Sequence, residues 1–433
     1  MNASLSLQQS PAFSVPARFL VSAPLFSLSA ALLMLYYGPQ MISDRWTPEL
    51  LAVTHLLTLG FFAMSMFGAM LQLIPVLMGV VIPQAVFFSR IIYAALFIGC
   101  ISLASGWLTH TPLLFIIALI SLGVSFCIFL LLASERLLRS KSRHATRSMM
   151  LLALFALLVT AGLGIYLALA YTDQGFTLAR LLTDLHLSWG LFGWVLLLII
   201  AVAYQVIPMF QITDEYPALH QRWLGWLVFA ILLMLTATYV WPLGILKTVA
   251  STLLAICMLV FALTTLWLLH RRRRQLPDLT LNFWRLAMLS LGLLALIWLV
   301  ATVFTIQLPT LFTGVLFVHG FAMTTVSGMM YKIVPFLIWL HLSTQNKNLR
   351  DQGAREAQVK VPHMRKIIPE VPGQWQFRLH LASLLLLLAA TLWPLWFFYP
   401  AALLFAIAQA ALLFNLLKAA GFYRQTIAEL ASH

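Results

Sequence analysis

The chain has 433 residues, of which 62% are apolar and 9% are charged, and it carries a formal net charge of +14. Soluble proteins contain about 25% charged residues, so this composition excludes a soluble globular domain and is typical of a membrane protein. The basic residues flank apolar stretches and form no separate domain. The positive charge therefore favours contact with anionic lipid and does not predict a nucleic-acid-binding protein.

Uncharged apolar stretches recur along the whole chain. Because a transmembrane helix needs about 20 apolar residues, the sequence predicts an all-α polytopic membrane protein with about twelve spans in a single membrane domain. The predicted spans are residues 18–38, 48–80, 90–109, 112–134, 147–172, 178–210, 222–242, 245–269, 285–306, 309–340, 378–396 and 400–420.

The segments that join these spans differ strongly in charge. Twenty-two of the 26 basic residues fall on the side that also holds both termini, and one more, Lys332, falls within a span. The positive-inside rule therefore predicts cytoplasmic N and C termini. We expect a protein of a bacterial-type inner (plasma) membrane, surrounded by the lipid bilayer.

A short motif recurs three times at the ends of long predicted helices. Gln72-Leu73-Ile74-Pro75 reappears as Gln205-Val206-Ile207-Pro208 and as Lys332-Ile333-Val334-Pro335. Recurrence at a fixed period indicates internal repeats, here three four-helix units in the same orientation. The predicted units are residues 18–142, 143–276 and 277–433, the last with a polar cytoplasmic loop at 343–377.

Three of the eleven histidines lie inside predicted spans, in the second helix of each unit: His55, His186 and His319. The other eight, including His380, are assigned to loops, tails or helix ends. An ionisable group inside a membrane indicates a functional site, and neutral imidazole is a ligand for haem iron or copper. The alternative interpretation is structural: each histidine forms a hydrogen bond with Thr or Ser of a neighbouring helix and binds no metal. Glycines that follow each histidine suit close approach of a porphyrin or, more commonly, of another helix.

The three cysteines lie in apolar stretches without a CxxC pair. This arrangement predicts core residues and gives no indication of a redox pair or a covalent haem site.

The segment from His55 through Gln72-Leu73-Ile74-Pro75 to Gly79, Pro83 and Arg90 resembles the second helix of the haem–copper oxidase subunit I superfamily. The chain also resembles the NnrS family of twelve-span membrane proteins, which bind haem and copper and are linked to nitric oxide stress. These resemblances imply twelve helices in a pseudo-threefold arrangement and a b-type haem.

The resemblance also implies roles for individual residues. His55 and His319 match the positions of axial haem ligands, and His186 matches a copper ligand. Three features depart from the family pattern. Phe317 stands where a second histidine of helix ten is expected, Gly190 stands where the family carries Tyr or Glu, and the predicted seventh helix contains no histidine. The copper site is therefore incomplete, and a proton-pumping oxygen reductase is not expected.

The leading hypothesis is a haem-binding membrane protein with a redox, electron-transfer or nitric-oxide-related role, partnered by an electron donor or another membrane subunit. If it is an enzyme, the resemblance implies an oxidoreductase. The alternative hypothesis is a transporter or permease for a metal, haem or a small apolar solute. It would use the same histidines, with Tyr204, Gln205, Tyr331 and Lys332 at an inner gate.

Overall fold

The computed structural model describes residues 9–142, 144–241, 243–273, 276–351 and 361–431. These residues form helices and contain no β-strand. Twelve of the helices are long and apolar enough to cross a membrane, which confirms the prediction of a multi-pass membrane protein. They are α1 (Ser14–Tyr37), α2 (Pro48–Met78), α3 (Ala85–Thr109), α4 (Pro112–Arg139), α5 (Ala145–Leu169), α6 (Arg180–Gln211), α7 (Ala218–Tyr239), α8 (Gly244–His270), α9 (Leu279–Val303), α10 (Thr310–Asp351), α11 (Glu370–Leu392) and α12 (Pro394–Glu429).

Prolines and capping side chains set several helix starts. Pro48 and Pro112 are the first residues of α2 and α4, where the N–H that proline lacks would have no partner within the helix. Asp278 precedes α9 and accepts a hydrogen bond from the backbone N–H of Thr280 at 2.9 Å. Most of the predicted spans agree with the observed helices within a few residues.

The largest difference lies at the loop predicted for residues 343–377. Helix α10 continues to Asp351, and α11 begins at Glu370, eight residues before the predicted span. Residues 352–360 of this loop lie outside the described part of the chain. Hydropathy locates only the part of a helix that lies inside the bilayer. Both helices continue beyond that part into polar sequence, so their outer ends were predicted as loop.

Each of α2, α6 and α10 contains one eight-residue π-helical segment. The segments are Leu56–Ala63, Trp189–Leu196 and Leu316–Met323. Each ends twelve residues before the proline of the recurring motif (Pro75, Pro208 and Pro335). Because π-helical turns are rare and widen the helix, three in the same register relative to these prolines distinguish α2, α6 and α10 from the other spans.

The same three helices form the centre of the bundle. Their most apolar windows are 83%, 78% and 61% buried, whereas the other nine helices are buried by half or less. An apolar cavity of about 60 Å³ lies where they meet, lined in part by Ala69 of α2, Val202 of α6 and Val326 of α10. In the outer helices, half or more of the residues in the corresponding windows are not buried by the protein and are available to face lipid.

Glycines allow the central helices to approach their neighbours closely. A Cβ added to Gly68 of α2 would lie 2.6 Å from the Cβ of Phe19 on α1, and one added to Gly193 of α6 would lie 2.7 Å from the Cβ of Ala156 on α5. Such distances are far below van der Waals contact. These two glycines serve helix packing, the commoner of the two uses that the sequence suggested.

The cysteine prediction is confirmed for two residues. Cys100 and Cys257 are buried in the bundle, as expected for small apolar side chains. Cys127 is exposed on α4, so its assignment to the core was wrong. An apolar stretch does not reveal which of its faces is turned towards lipid.

Ring contacts and an ion pair define the two faces of the bundle. Phe13, before α1, contacts His341 of α10 and Tyr423 of α12, with ring centroids 5.9 and 4.1 Å apart. We call this end the terminal face. At the opposite end, the far face, Arg45 of the α1–α2 connection pairs with Asp184 at the start of α6.

Candidate functional site

Two of the three predicted ligands meet near the far face. His55 lies on α2 immediately before the π-helical segment, and His186 lies on α6 three residues before the corresponding segment. Their ring centroids are 6.3 Å apart and their planes differ by 19°. Both residues are partly exposed. The structure therefore brings together imidazoles that are 131 positions apart in the sequence.

Backbone carbonyls orient both rings. Nδ1 of His55 lies 2.8 Å from the carbonyl oxygen of Leu51, and Nδ1 of His186 lies 3.0 Å from that of Thr160. Because a carbonyl only accepts, each Nδ1 carries the proton and each Nε2 keeps its lone pair. Neither Nε2 has a hydrogen-bond partner among the described residues. A histidine held by Nδ1 with Nε2 uncommitted is the usual arrangement of a metal ligand.

Residues from two further helices, α3 and α5, shape the surroundings of this pair. Trp107 of α3 lies beside His55, with ring centroids 4.6 Å apart. The Cys100 thiol of α3 donates to the backbone carbonyl of His55, with 3.7 Å between sulfur and oxygen. A Cβ added to Gly164 of α5 would lie 2.9 Å from Cε1 of His186, so only glycine leaves room for that ring in its observed place.

The third predicted ligand belongs to a different cluster. His319 of α10 is 3% exposed and lies against His380 of α11, with ring centroids 4.3 Å apart and planes 14° apart. Nε2 of His319 lies 3.0 Å from Oγ of Ser383, and Nε2 of His380 lies 2.7 Å from Oγ1 of Thr324. The ring contacts of His319 among the described residues are with His380 and Phe405.

The hydroxyl groups fix the roles of these two nitrogens. Ser383 donates its proton to the carbonyl of His380, and Thr324 donates its proton to the carbonyl of His319. Each hydroxyl has a single proton and must therefore accept from the imidazole, so both histidines donate through Nε2. Nε2 of His319 is engaged as a donor here, in contrast to Nε2 of His55 and His186.

Sequence analysis missed His380 because it took Arg378 as the start of a span. Since α11 begins at Glu370, His380 lies in the third turn of the helix and is fully buried. One signal could have located it. Gln376, His380 and Ser383 recur at a spacing of four and three residues, which places three polar side chains on one helix face.

Three of the four side chains assigned to an inner gate are bound to neighbours near the terminal face. The Tyr204 hydroxyl lies 2.8 Å from Nδ1 of His220, and the Tyr331 hydroxyl accepts from the Asn415 amide at 2.9 Å. Lys332 forms an ion pair of 3.0 Å with Asp278, which lies just outside α9.

Opposing effects act on the pKa of the Asp278 carboxyl. Burial raises this pKa, but the Lys332 ammonium and the hydrogen bonds from Thr280 lower it more, so it lies below the usual value. The Asp278 carboxylate is therefore charged at neutral pH and holds Lys332 in place.

The described residues contain no group of three or more His, Cys, Asp or Glu side chains that could hold a metal ion. The donor set near the far face is two imidazoles, which suits a metal that takes its other ligands from a cofactor, as haem iron does. The apolar cavity where α2, α6 and α10 meet is not lined by His55 or His186. No protein-family model matches the chain, and no curated protein matches it significantly.

Proposed function

We propose that this membrane protein binds one metal centre, the iron of a b-type haem, between His55 and His186. The supporting observation is the pair of near-parallel imidazoles, each held through Nδ1 with Nε2 uncommitted. With metal–nitrogen distances of about 2.0 Å and ring centroids about 1.1 Å beyond each nitrogen, two histidines on one metal have centroids about 6 Å apart. The observed separation of 6.3 Å fits this requirement.

This pairing differs from the one that the resemblance to haem–copper oxidases implies, which joins His55 to His319. The proposed role is electron transfer, because a haem with two axial histidines exchanges single electrons and has no open position for a gas. The protein's own contribution is to fix both imidazole tautomers through Leu51 and Thr160. A redox role in nitric oxide metabolism, with a separate electron donor, belongs to the same proposal.

The three-unit architecture is also part of the proposal. Its support is the equal register of the three π-helical segments relative to Pro75, Pro208 and Pro335. The excess of basic residues on the terminal face supports cytoplasmic termini in a bacterial-type inner membrane.

A copper ion bound by the same two imidazoles is the second candidate. It is favoured because the site supplies two imidazole donors and because a single ion, unlike a macrocycle, needs only the space between two rings whose centroids lie 6.3 Å apart. Imidazole is a suitable ligand for copper as well as for iron.

The test is pyridine-haemochrome and metal analysis of the purified full-length protein and its histidine variants. We expect His55→Ala and His186→Ala each to lose more than nine-tenths of the bound haem, and His319→Ala to keep it. His110→Asn, at an exposed histidine beyond the end of α3, is the control and should also keep it.

Copper without haem in the wild type, lost in the same two variants, would favour the second candidate. Loss of haem in His319→Ala but not in His186→Ala would restore the pairing that the resemblance implies. A folded wild-type protein that binds neither haem nor copper would refute the proposal.

A further inference from the structure

Two hydrogen bonds join polar side chains of α10 and α11. Thr324 is bonded to His380, and His319 to Ser383, so the two helices run antiparallel in a defined register. Nearer the terminal face, a Cβ added to Gly373 would lie 3.5 Å from the Tyr331 ring. Between these contacts, the register places Gln376 at the level of Ser327. We call this set the polar ladder; it comprises His319, Thr324, Ser327 and Tyr331 of α10 and Gln376, His380 and Ser383 of α11.

The middle of the polar ladder contains buried atoms without a protein partner. Ser327, Gln376 and His380 are all 0% exposed. Within the described part of the chain, Oγ of Ser327, both side-chain atoms of Gln376 and Nδ1 of His380 make no hydrogen bond. A buried polar atom left unpaired costs about 1–3 kcal/mol, and buried water molecules typically satisfy several such atoms at once. Four unpaired atoms at one helix interface therefore indicate bound water.

The polar ladder begins at a polar cavity near the terminal face. This cavity, of about 60 Å³, is lined by Asp278, Tyr331, Lys332, Arg365 and Glu370 among others. Tyr331 belongs both to the cavity lining and to the ladder. From Lys332 to His319 the helix covers thirteen residues, or about 20 Å, which is about two-thirds of a hydrocarbon core of about 30 Å.

Aromatic residues close the other end. The ring of Phe405 lies 4.9 Å from His319, and the adjacent Phe317 and Phe321 are both buried. The polar side chains therefore extend from the terminal-face cavity to His319 and are bounded by aromatic rings beyond it. The ring of Phe283 on α9 flanks them, with its centroid 6.0 Å from that of Tyr331 and 6.3 Å from that of His380.

We propose that the polar ladder holds a file of water molecules that gives protons from the terminal face access to the His319–His380 pair. Nδ1 of His380, with its free lone pair, is the group that accepts a proton from this file. The pathway ends at His319 and does not cross the membrane. This inference is independent of metal binding, since it involves neither His55 nor His186.

The test is cysteine accessibility in sealed vesicles of known orientation. The background is the full-length chain with its native cysteines replaced by alanine. The reagent is the silver ion, which is small enough to follow a file of water, does not cross lipid and reacts with hydrated thiolates. Ser327→Cys is the main variant because it changes a single atom, and Gln376→Cys is the second. Ser125→Cys is the matched control, a fully buried serine of α4 whose hydroxyl is bonded to the carbonyl of Ile92.

We expect both ladder variants to react at least tenfold faster than Ser125→Cys, and only when the reagent is applied at the terminal face. Leu387→Cys, at a buried apolar position of α11, should remain as slow as the control. Ladder rates equal to those of the control would overturn the proposal. Equal rates from both faces would overturn it as well, because they would require an open channel.

Discussion

Two pairs of histidines, built from the same kinds of helix, have opposite chemistry. His55 and His186 are partly exposed near the far face, bind backbone carbonyls through Nδ1 and keep Nε2 uncommitted. His319 and His380 are fully or almost fully buried and donate through Nε2 to hydroxyl groups. An intramembrane histidine therefore keeps Nε2 free for a ligand or uses it as a hydrogen-bond donor, according to which of its nitrogens the surrounding groups engage.

Register explains why the pairs differ. His55 and His186 precede the π-helical segments of α2 and α6, whereas His319 is the fourth residue of the segment in α10. A shift of several residues turns a side chain to another direction and another depth. His319 therefore faces the polar residues of α11.

The largest expected effect concerns two ion pairs, one near the terminal face and one on the far face. Lys332–Asp278 has side chains 19% and 8% exposed, whereas Arg45–Asp184 on the far face is 28% and 52% exposed. Removing one partner of a buried pair leaves an uncompensated charge. We expect Asp278→Ala to lower the free energy of unfolding by about 3 kcal/mol, and Asp184→Ala by less than about 1 kcal/mol. Chemical denaturation in detergent measures both, and equal losses would contradict this contrast.

The next effect separates side-chain from backbone acceptors. In Thr324→Val the Nε2–H of His380 loses its acceptor, and we expect a loss of about 2 kcal/mol in the free energy of unfolding. Thr160→Val is the matched control, because His186 binds the backbone carbonyl of Thr160 and not its hydroxyl. That variant should change stability by less than about 0.5 kcal/mol. A comparable loss in both variants would remove the distinction between the pairs.

A smaller effect tests whether the position of the His186 ring matters for binding. Gly164→Ala places a methyl group against Cε1 of His186, so we expect about a tenfold loss of affinity for the bound metal centre. Gly162→Ala, two residues away on α5, meets no atom within 4 Å and should leave the affinity unchanged. Spectroscopic titration of the apoprotein would measure both, and unchanged binding in Gly164→Ala would count against a role for His186.

The smallest effect is a pH dependence that arises from the Asp278 carboxyl. The pKa of Asp278 is lowered in the folded protein, so its contribution to stability is complete above the usual carboxyl value of 3.8 and decreases as the pH falls below it. Thermal unfolding between pH 3 and pH 6 should show this decrease in the wild type and a weaker one in Asp278→Asn. Identical pH profiles for the wild type and Asp278→Asn would contradict a stabilising role of the charged Asp278 carboxylate.

Much of the fold could be predicted because a membrane restricts the choices. Apolar length predicted the twelve spans. The Pro75, Pro208 and Pro335 motifs marked α2, α6 and α10, the three helices that contain the π-helical segments. The ends of α10 and α11 were predicted less well, since a helix that continues beyond the bilayer loses its hydropathy signal. That error removed His380 from the candidate residues and left His319 without its neighbour.

The sequence by itself determined that this protein crosses the membrane about twelve times and buries a few imidazoles among apolar side chains, because transfer of apolar segments into lipid depends on local composition. Only the tertiary structure decided that His55 meets His186 and that His319 meets His380. Those pairings depend on helix rotation, π-helical turns and hydroxyl groups supplied by distant segments, and such properties are set by packing.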